Sequence, residues 1–261
     1  MFRIAIDGTA AAGKGTLAQL CSKVLGFMYV DTGAMYRGVA LKALEAGVDV
    51  SDEAGHAQIA HRLQFEFDWN GDSLQLWIDG EDASKKIRTE AVGDRASTSS
   101  AFPSVRAALL EQQRALGAAQ SVIMDGRDIG TVVLPNAELK VYVDADIRVR
   151  AERRLVDVQQ KDATVSFEQV LSDLQKRDER DMNRAIAPLR RADDARLLDT
   201  TEQSILEGVL TVVLWYFELT NLHLPIEQLR HAVSGKAEIM GLSELEQAQI
   251  GRLKNLFAAQ A

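Results

Sequence analysis

The sequence predicts an α/β fold, a five-stranded parallel sheet flanked by helices and interrupted by a small antiparallel insertion. Three observations carry this. Short apolar runs ending on Asp-Gly or Asp-Thr-Gly recur along the chain, helical patterns separate most of them, and one region alternates strictly instead. The 261 residues are 46% hydrophobic, enough for a proper core.

Phe2–Ile6 is the first strand and stops at Asp7-Gly8. A glycine-bearing loop follows, then Thr16–Leu25 shows helical spacing through Leu17, Leu20, Val24 and Leu25. Met28–Val30, Val122–Met124, Leu139–Val143 and Arg196–Leu198 read as the other four strands. Helical patterns cover Met35–Ala46, Val105–Ala118, Arg148–Val158, Phe167–Ala187 and Ser204–Leu219. In the odd region, Leu63–Phe67 and Leu74–Ile78 alternate on either side of an Asn70-Gly71 turn signal, so they form a hairpin with one wet face. We take residues 60–100 as an insertion, 1–59 with 101–217 as the core, and 218–261 as a helical extension.

Charge and length exclude several classes. With 30 Lys+Arg against 38 Asp+Glu the net charge is −8, which suits a nucleic-acid binder poorly. Cys21 is the single cysteine, so intrachain disulfides and cysteine-clustered zinc are out. Val209–Phe217, the most apolar later run, is far below the ~20 residues of a membrane span and reads as a buried helix. Met1–Ile6 is too short for a signal-peptide core. The expected setting is the cytoplasm, without a membrane.

Gly8-Thr9-Ala10-Ala11-Ala12-Gly13-Lys14-Gly15-Thr16 stands between a strand and a helix, the context a phosphate-binding P-loop requires. Small residues let the backbone curl its N–H groups inward, and the helix start adds the positive end of its dipole. Lys14 would reach the β- and γ-phosphates, with the Thr16 hydroxyl on Mg²⁺. Asp125, at the end of the third strand, could orient the Mg²⁺ shell through water.

A second phosphate group needs further cations. Residues 148–196 hold 12 basic and 10 acidic side chains inside an acidic protein. Arg177, Arg180, Asp181 and Arg184 are three to four apart, which on a helix puts them on one face as a guanidinium fork.

The spelling Gly-Lys-Gly-Thr resembles the nucleoside monophosphate kinases, and the chain over residues 2–215 resembles the bacterial cytidylate kinases. The likeness rests on Ile6–Thr16, Asp31–Arg37, Ile87–Val92, Ala101–Arg106, Asp125–Pro135 and Arg177–Leu189. It implies a P-loop kinase core with a lid at about 150–164 and an inserted monophosphate-binding region. The implied reaction is ATP-dependent phosphorylation of CMP and dCMP with Mg²⁺, within pyrimidine nucleotide metabolism. It places Thr32, Arg106 and Asp128 on the cytosine, Arg37, Arg127 and Arg184 on the monophosphate, and Ser97, Arg177 and Asp181 on the sugar. Arg153 and Arg154 open the lid, and the catalytic set is Lys14, Arg127, Arg184, Arg153 and Arg154. Thr9 stands where that family commonly has proline. A kinase for UMP or AMP, and a nucleotide-sensing module without transfer, are the rival readings.

Other residues invite a role. Cys21 reads as a small buried group, His56 and His61 as surface histidines, and Trp69 and Trp77 as packing. Ser243–Glu246 reads as a capping box opening a last helix with Leu245, Leu253, Leu256 and Phe257 to one side. That helix either docks on the core or meets a partner. The protein is expected to be a monomer.

Overall fold

The computed structural model describes residues 1–70, 73–160, 162–221, 226–233 and 242–259. The main sheet has five parallel strands: β1 (Arg3–Gly8), β2 (Met28–Asp31), β6 (Val122–Asp125), β7 (Leu139–Asp144) and β8 (Arg196–Asp199). Their order is β2-β6-β1-β7-β8, which makes β1 the centre. Ile4 and Ile6 on one face and Ala5 on the other are at most 1% exposed, as expected of a strand covered on both sides. The register pairs Ile6 with Asp125, Asp31 with Asp125, Gly8 with Val143 and Asp144 with Asp199. All the strand-ending acids therefore collect at one edge of the sheet, the end where ligands sit in open α/β folds.

The helices are α1 (Lys14–Leu25), α2 (Thr32–Glu45), α3 (Glu53–Arg62), α4 (Glu90–Ser99), α5 (Pro103–Ala119), α6 (Ile147–Gln159), α7 (Phe167–Asn183), α8 (Ile205–Leu219), α9 (Ile226–Val233) and α10 (Glu244–Ala258). Helices α3 and α4 lie outside the sequence expectation. Asp52 caps α3 by accepting from Gly55 N, and α4 buries only Val92 and Ala96 among apolar residues, so periodicity alone is a weak signal there. Helix α2 begins at Thr32 rather than Met35, because the Asp31 side chain caps it by accepting from Ala34 N.

The second sheet joins β3 (Phe65–Asn70), β4 (Ser73–Ile78) and the short β5 (Glu81–Asp82), all antiparallel. Phe65 pairs with Ile78 and Asn70 with Ser73, the expected hairpin with one more strand. Gly71 of the expected turn lies outside the described residues. Phe65, Leu76, Ile78, Ile87 and Val92 share one hydrophobic cluster with Ala5, Val30 and Met35, so the insertion packs into the core on one side. A second cluster, on the other face of the sheet, holds α1 and α8 with Val209, Leu210, Val213 and Phe217 buried. It also takes in the last two helices. Leu229, Val233, Ile250 and Leu253 are buried there, Gln249 Nε2 donates to Leu25 O and Arg252 Nε to Val24 O. The extension thus docks on α1 within this chain; the expected capping box at Ser243 is formed, and Ser204 makes a second one at α8.

Two expectations need correcting. Leu245 is 58% exposed, since it lies in the first turn of α10 away from the seam that Leu253 fills. His56 is fully buried rather than on the surface, with its Nδ1 2.7 Å from Asp52 O and its ring against Phe102. Cys21 is buried, and that burial pushes its thiol pKa far up. Trp69 packs against the second cluster with Lys23 Nζ 4.7 Å from its ring centroid. No helix among the described residues is long and apolar enough to cross a membrane.

Candidate active site

The glycine loop leaves β1 in conformations that side chains rarely allow. Gly8 has φ 153°, and a Cβ there would stand 2.0 Å from Val143 O, so only glycine fits beside β7. Ala11 has φ 60° and Gly13 φ 84°, turning the chain tightly before α1. No side chain caps α1 at Gly13, which leaves its first N–H groups for a ligand. The loop is held from outside. Arg150 donates to Ala10 O at 3.1 Å and to Asp178 Oδ2 at 2.5 Å, while Asp178 Oδ1 accepts from Ala10 N. Thr200 Oγ1 donates to Ala12 O. Thr9 is buried and its hydroxyl donates to Asp144 at 2.7 Å, a tie that proline could not make.

Lys14 opens α1 and faces a crowd of charge. Burial first, then the neighbouring Arg127 and Arg177, lower its pKa to about 7 against the opposing pull of Asp125 and Asp31. Arg177 keeps open surface, yet desolvation along the cleft wall lowers it to about 10, with Arg127, Arg154 and Arg37 adding repulsion and Asp181 opposing. Five cations from five segments thus repel one another around one cleft, a repulsion that bound anions would relieve. Two carboxylates hold part of it: Arg37 Nη2 donates to Asp31 at 2.8 Å and Arg127 Nε to Asp181 at 2.8 Å.

Next to it lies a buried triad. Asp128 accepts from Arg106 Nη2 at 2.5 Å on one oxygen and from Arg184 Nη2 at 3.1 Å on the other. Burial lowers the pKa of Arg184, helped by Arg106 and opposed by Asp128. Thr32 Oγ1 donates to Asp125 O beside it, and Arg106 stacks 5.5 Å over Tyr36.

Asp125 is pushed up to about 6 by burial first and by Asp31 next, with Lys14 and the Tyr29 hydroxyl opposing. Tyr29 donates to Asp125 Oδ1 at 2.7 Å, so Oδ2 is the oxygen turned towards Gly15. Thr16 is exposed in the same first turn. Hard oxygen donors of this kind, too few for an all-protein cage, fit a Mg²⁺ that keeps water and nucleotide oxygens as its other ligands. Among the described residues no group of three or more His, Cys, Asp or Glu could hold a metal alone.

Some expected residues stand elsewhere. Arg153 is half-buried and donates to Thr200 O and Oγ1, bracing the loop rather than facing the cleft; Arg154 does face Arg177. The guanidinium fork is not a helix face, because α7 stops at Asn183 and Arg184 follows in extended conformation, reaching Asp128 from beyond the helix. Arg180 turns away from Arg184 to bond the hydroxyl of Ser97 across to α4. Asp7, Tyr29 and Arg150 were not anticipated as site residues. The sequence signal for Arg150 and Tyr29 is slight, since each works through a partner distant in the chain.

Comparison with known proteins settles the family. The cytidylate kinase family model matches residues 4–218. The chain belongs to the cytidylate kinase family. The cytidylate kinase of Vibrio vulnificus (strain CMCP6) is 47% identical over 215 residues, 82% of this chain and 95% of that one. That of Aeromonas salmonicida (strain A449) is 46% identical over 213 residues, covering 82% and 92%. Among solved structures, a sugar kinase from Janibacter sp. HTCC2649 aligns only loosely, with TM-score 0.42 and 13% identity over 86% of this chain and 99% of that one. As a cytidylate kinase, a nucleoside monophosphate kinase, this enzyme phosphorylates CMP from ATP. The matched span ends within α8, so α9 and α10 lie beyond it.

Proposed function

We propose that the enzyme accepts both CMP and dCMP and transfers the γ-phosphoryl directly, with two nucleotides end to end along the cleft. The single observation behind this is the ring of Lys14, Arg37, Arg127, Arg154 and Arg177, five mutually repelling cations, more positive charge than one phosphate group would balance. ATP lies against the loop 8–16, its phosphates on the N–H groups and Lys14. Arg37, Arg127 and Arg184 hold the monophosphate, Thr32, Arg106 and Asp128 the base, and Ser97, Arg177 and Asp181 the sugar. A CMP phosphate oxygen attacks the γ-phosphorus, the bond to the bridging oxygen breaks, and ADP leaves. No protein nucleophile takes part. Mg²⁺, held by Thr16 and through water by Asp125, supplies charge neutralisation on the ATP phosphates when bound.

Lys14 and the arginines offset charge that spreads over the transferring group, and the cleft does this without reorganising. Closure of the lid, about 150–164, with the insertion at 60–100 over the core at 1–59 and 101–217 excludes water, so transfer prevails over hydrolysis. Arg154 rides on that lid. Cytosine offers its amino group to Asp128 where uracil has a carbonyl, and the resulting unpaired contact costs about 1–3 kcal/mol. UMP is therefore the poorer substrate by about 10–100-fold. The setting is the cytoplasm and pyrimidine nucleotide metabolism, and the enzyme works as a monomer.

A panel of CMP, dCMP, UMP and AMP with ATP and Mg²⁺ tests the substrate range, and Lys14→Met tests the loop. The expected result is turnover of both cytidine monophosphates above UMP and AMP, lost by about 100-fold or more in Lys14→Met while the fold persists. Near-normal turnover in the variant would refute the role of Lys14.

A further inference from the structure

Asp7 is 5% exposed and takes no part in the phosphate loop that begins at the next residue. Its Oδ1 accepts from Ile129 N at 2.7 Å and its Oδ2 from Gly130 N at 2.7 Å. Those two N–H groups open the π-helical turn Ile129–Val133, for which Asp128 is the N-cap residue. The Asp128 carbonyl accepts from Val132 and Val133 N at the far side of the turn. An aspartate at an N-cap ordinarily folds its own carboxylate back onto the first free N–H groups. Asp128 does not; it makes no side-chain cap and gives both oxygens to Arg106 and Arg184.

We propose that Asp7 is a positioning residue for base selection, capping this turn in place of Asp128 and so keeping the Asp128 carboxylate turned towards the acceptor. The cap is rigid, because β1 pairs on both sides and Gly8 abuts Val143 O. Asp7 stands at the end of the same strand that launches the phosphate loop, so it fixes the acceptor-reading turn to the donor-holding strand. Remove one of its oxygens as an acceptor and the turn has a free N–H, for which Asp128 becomes the nearest replacement cap. The cytosine contact is then lost although Asp128 itself is unchanged. This role of Asp7 rests on the reading of Asp128 as the cytosine contact.

Asp7→Asn keeps the shape and replaces one acceptor oxygen with an amide that cannot accept. KM for CMP is expected to rise about tenfold and the preference for CMP over UMP to fall by a similar factor, with KM for ATP within about twofold. A general loosening of the strand would instead move ATP at least as much, since Gly8 follows directly. An equal effect on ATP and CMP, or an unchanged CMP/UMP ratio, overturns the proposal. If Asp7→Asn does not fold, Gly130→Ala decides. A Cβ there would lie in ordinary contact, 3.4 Å, with Asp7 Oδ2 and tightly, 3.1 Å, against Lys140 Cδ, crowding the turn beside the same clamp. It should lower the CMP/UMP ratio about threefold, and no change overturns the proposal. Asp128→Asn, assayed alongside, separates the two layers. An unchanged ratio in Asp128→Asn refutes the cytosine contact itself, whereas a changed ratio there with none in the Asp7 and Gly130 variants refutes only the role of Asp7.

Discussion

Binding of ATP should draw a proton out of solution, and the amount follows from Lys14. Its pKa in the free enzyme is lowered to about 7 by burial and by Arg127, against an ordinary value of 10.5. At pH 8 a group of that pKa is about nine-tenths neutral. A polyphosphate beside it reverses the balance, because negative charge at hydrogen-bond distance favours the ammonium form. The lysine should then regain close to its full charge, so binding at pH 8 takes up about nine-tenths of a proton. At pH 6 the lysine is already charged, and its uptake falls to about a tenth. Asp125 and Asp7, both near 6, are ionised at pH 8 with or without nucleotide and add little. The assay is isothermal titration of ATP with Mg²⁺ at pH 8 in buffers of widely different ionisation enthalpy. The slope of observed heat against buffer enthalpy gives the proton count. A slope near zero, or the same slope in Lys14→Met, would refute the reasoning.

Three further outcomes are expected. Leu253→Ala removes a fully buried side chain from the seam between α10 and α1, at a cost of about 2–5 kcal/mol. Thermal melting should fall by roughly 4–20 °C with kcat unchanged, and a shift under about 2 °C would mean the helix is not docked in solution. Arg150→Met strands the buried Asp178 carboxylate and frees the Ala10 carbonyl, so denaturant unfolding should show a loss of about 3–5 kcal/mol and ATP titration a weaker affinity. Asp7, raised to about 6 by burial, binds more protons folded than unfolded between about pH 4 and 6. Its favourable contribution is present below pH 4 and lost as pH rises through 6. The stability of the wild type relative to Asp7→Asn should therefore drop over that window in urea titrations, and a rise would contradict the assignment.

The sheet was legible because each strand announces itself in a few residues. Ile4–Ile6 and Val122–Met124 are buried on both faces and read as plain apolar runs, and the glycines of the loop are forced by contacts such as Gly8 against Val143 O. Residues whose meaning depends on a distant partner were not legible. Asp7 looks like any aspartate before a glycine, and its partners lie 122 and 123 positions on. Arg153 carries the same charge as Arg154 one position later, but only the rotation of α6 decides that one braces Thr200 while the other faces Arg177. Arg184 was misplaced for a local reason. Three to four residue spacing suggests one helix through Ala187, yet Pro188 disfavours helical backbone just before it, and Ala187 adopts φ 49° instead. His56 looked like a surface residue because Glu53 and His61 flank it on a polar helix. Phe102 and Arg95, from later in the chain, cover it.

The strand order also dictates when this protein can begin to fold as it is made. The central strand emerges first, yet one neighbour, β6, starts at Val122, paired with Arg3. At ~5–20 residues per second, that strand waits roughly 6–24 s on the ribosome before its first lateral partner exists. The end of α1 waits longer still, until Arg252 arrives to meet Val24, 228 positions after it was synthesised. Nascent chains stalled short of α10 should therefore leave the apolar end of α1 around Val24 and Leu25 open to chaperones, and docking of α10 should hide it.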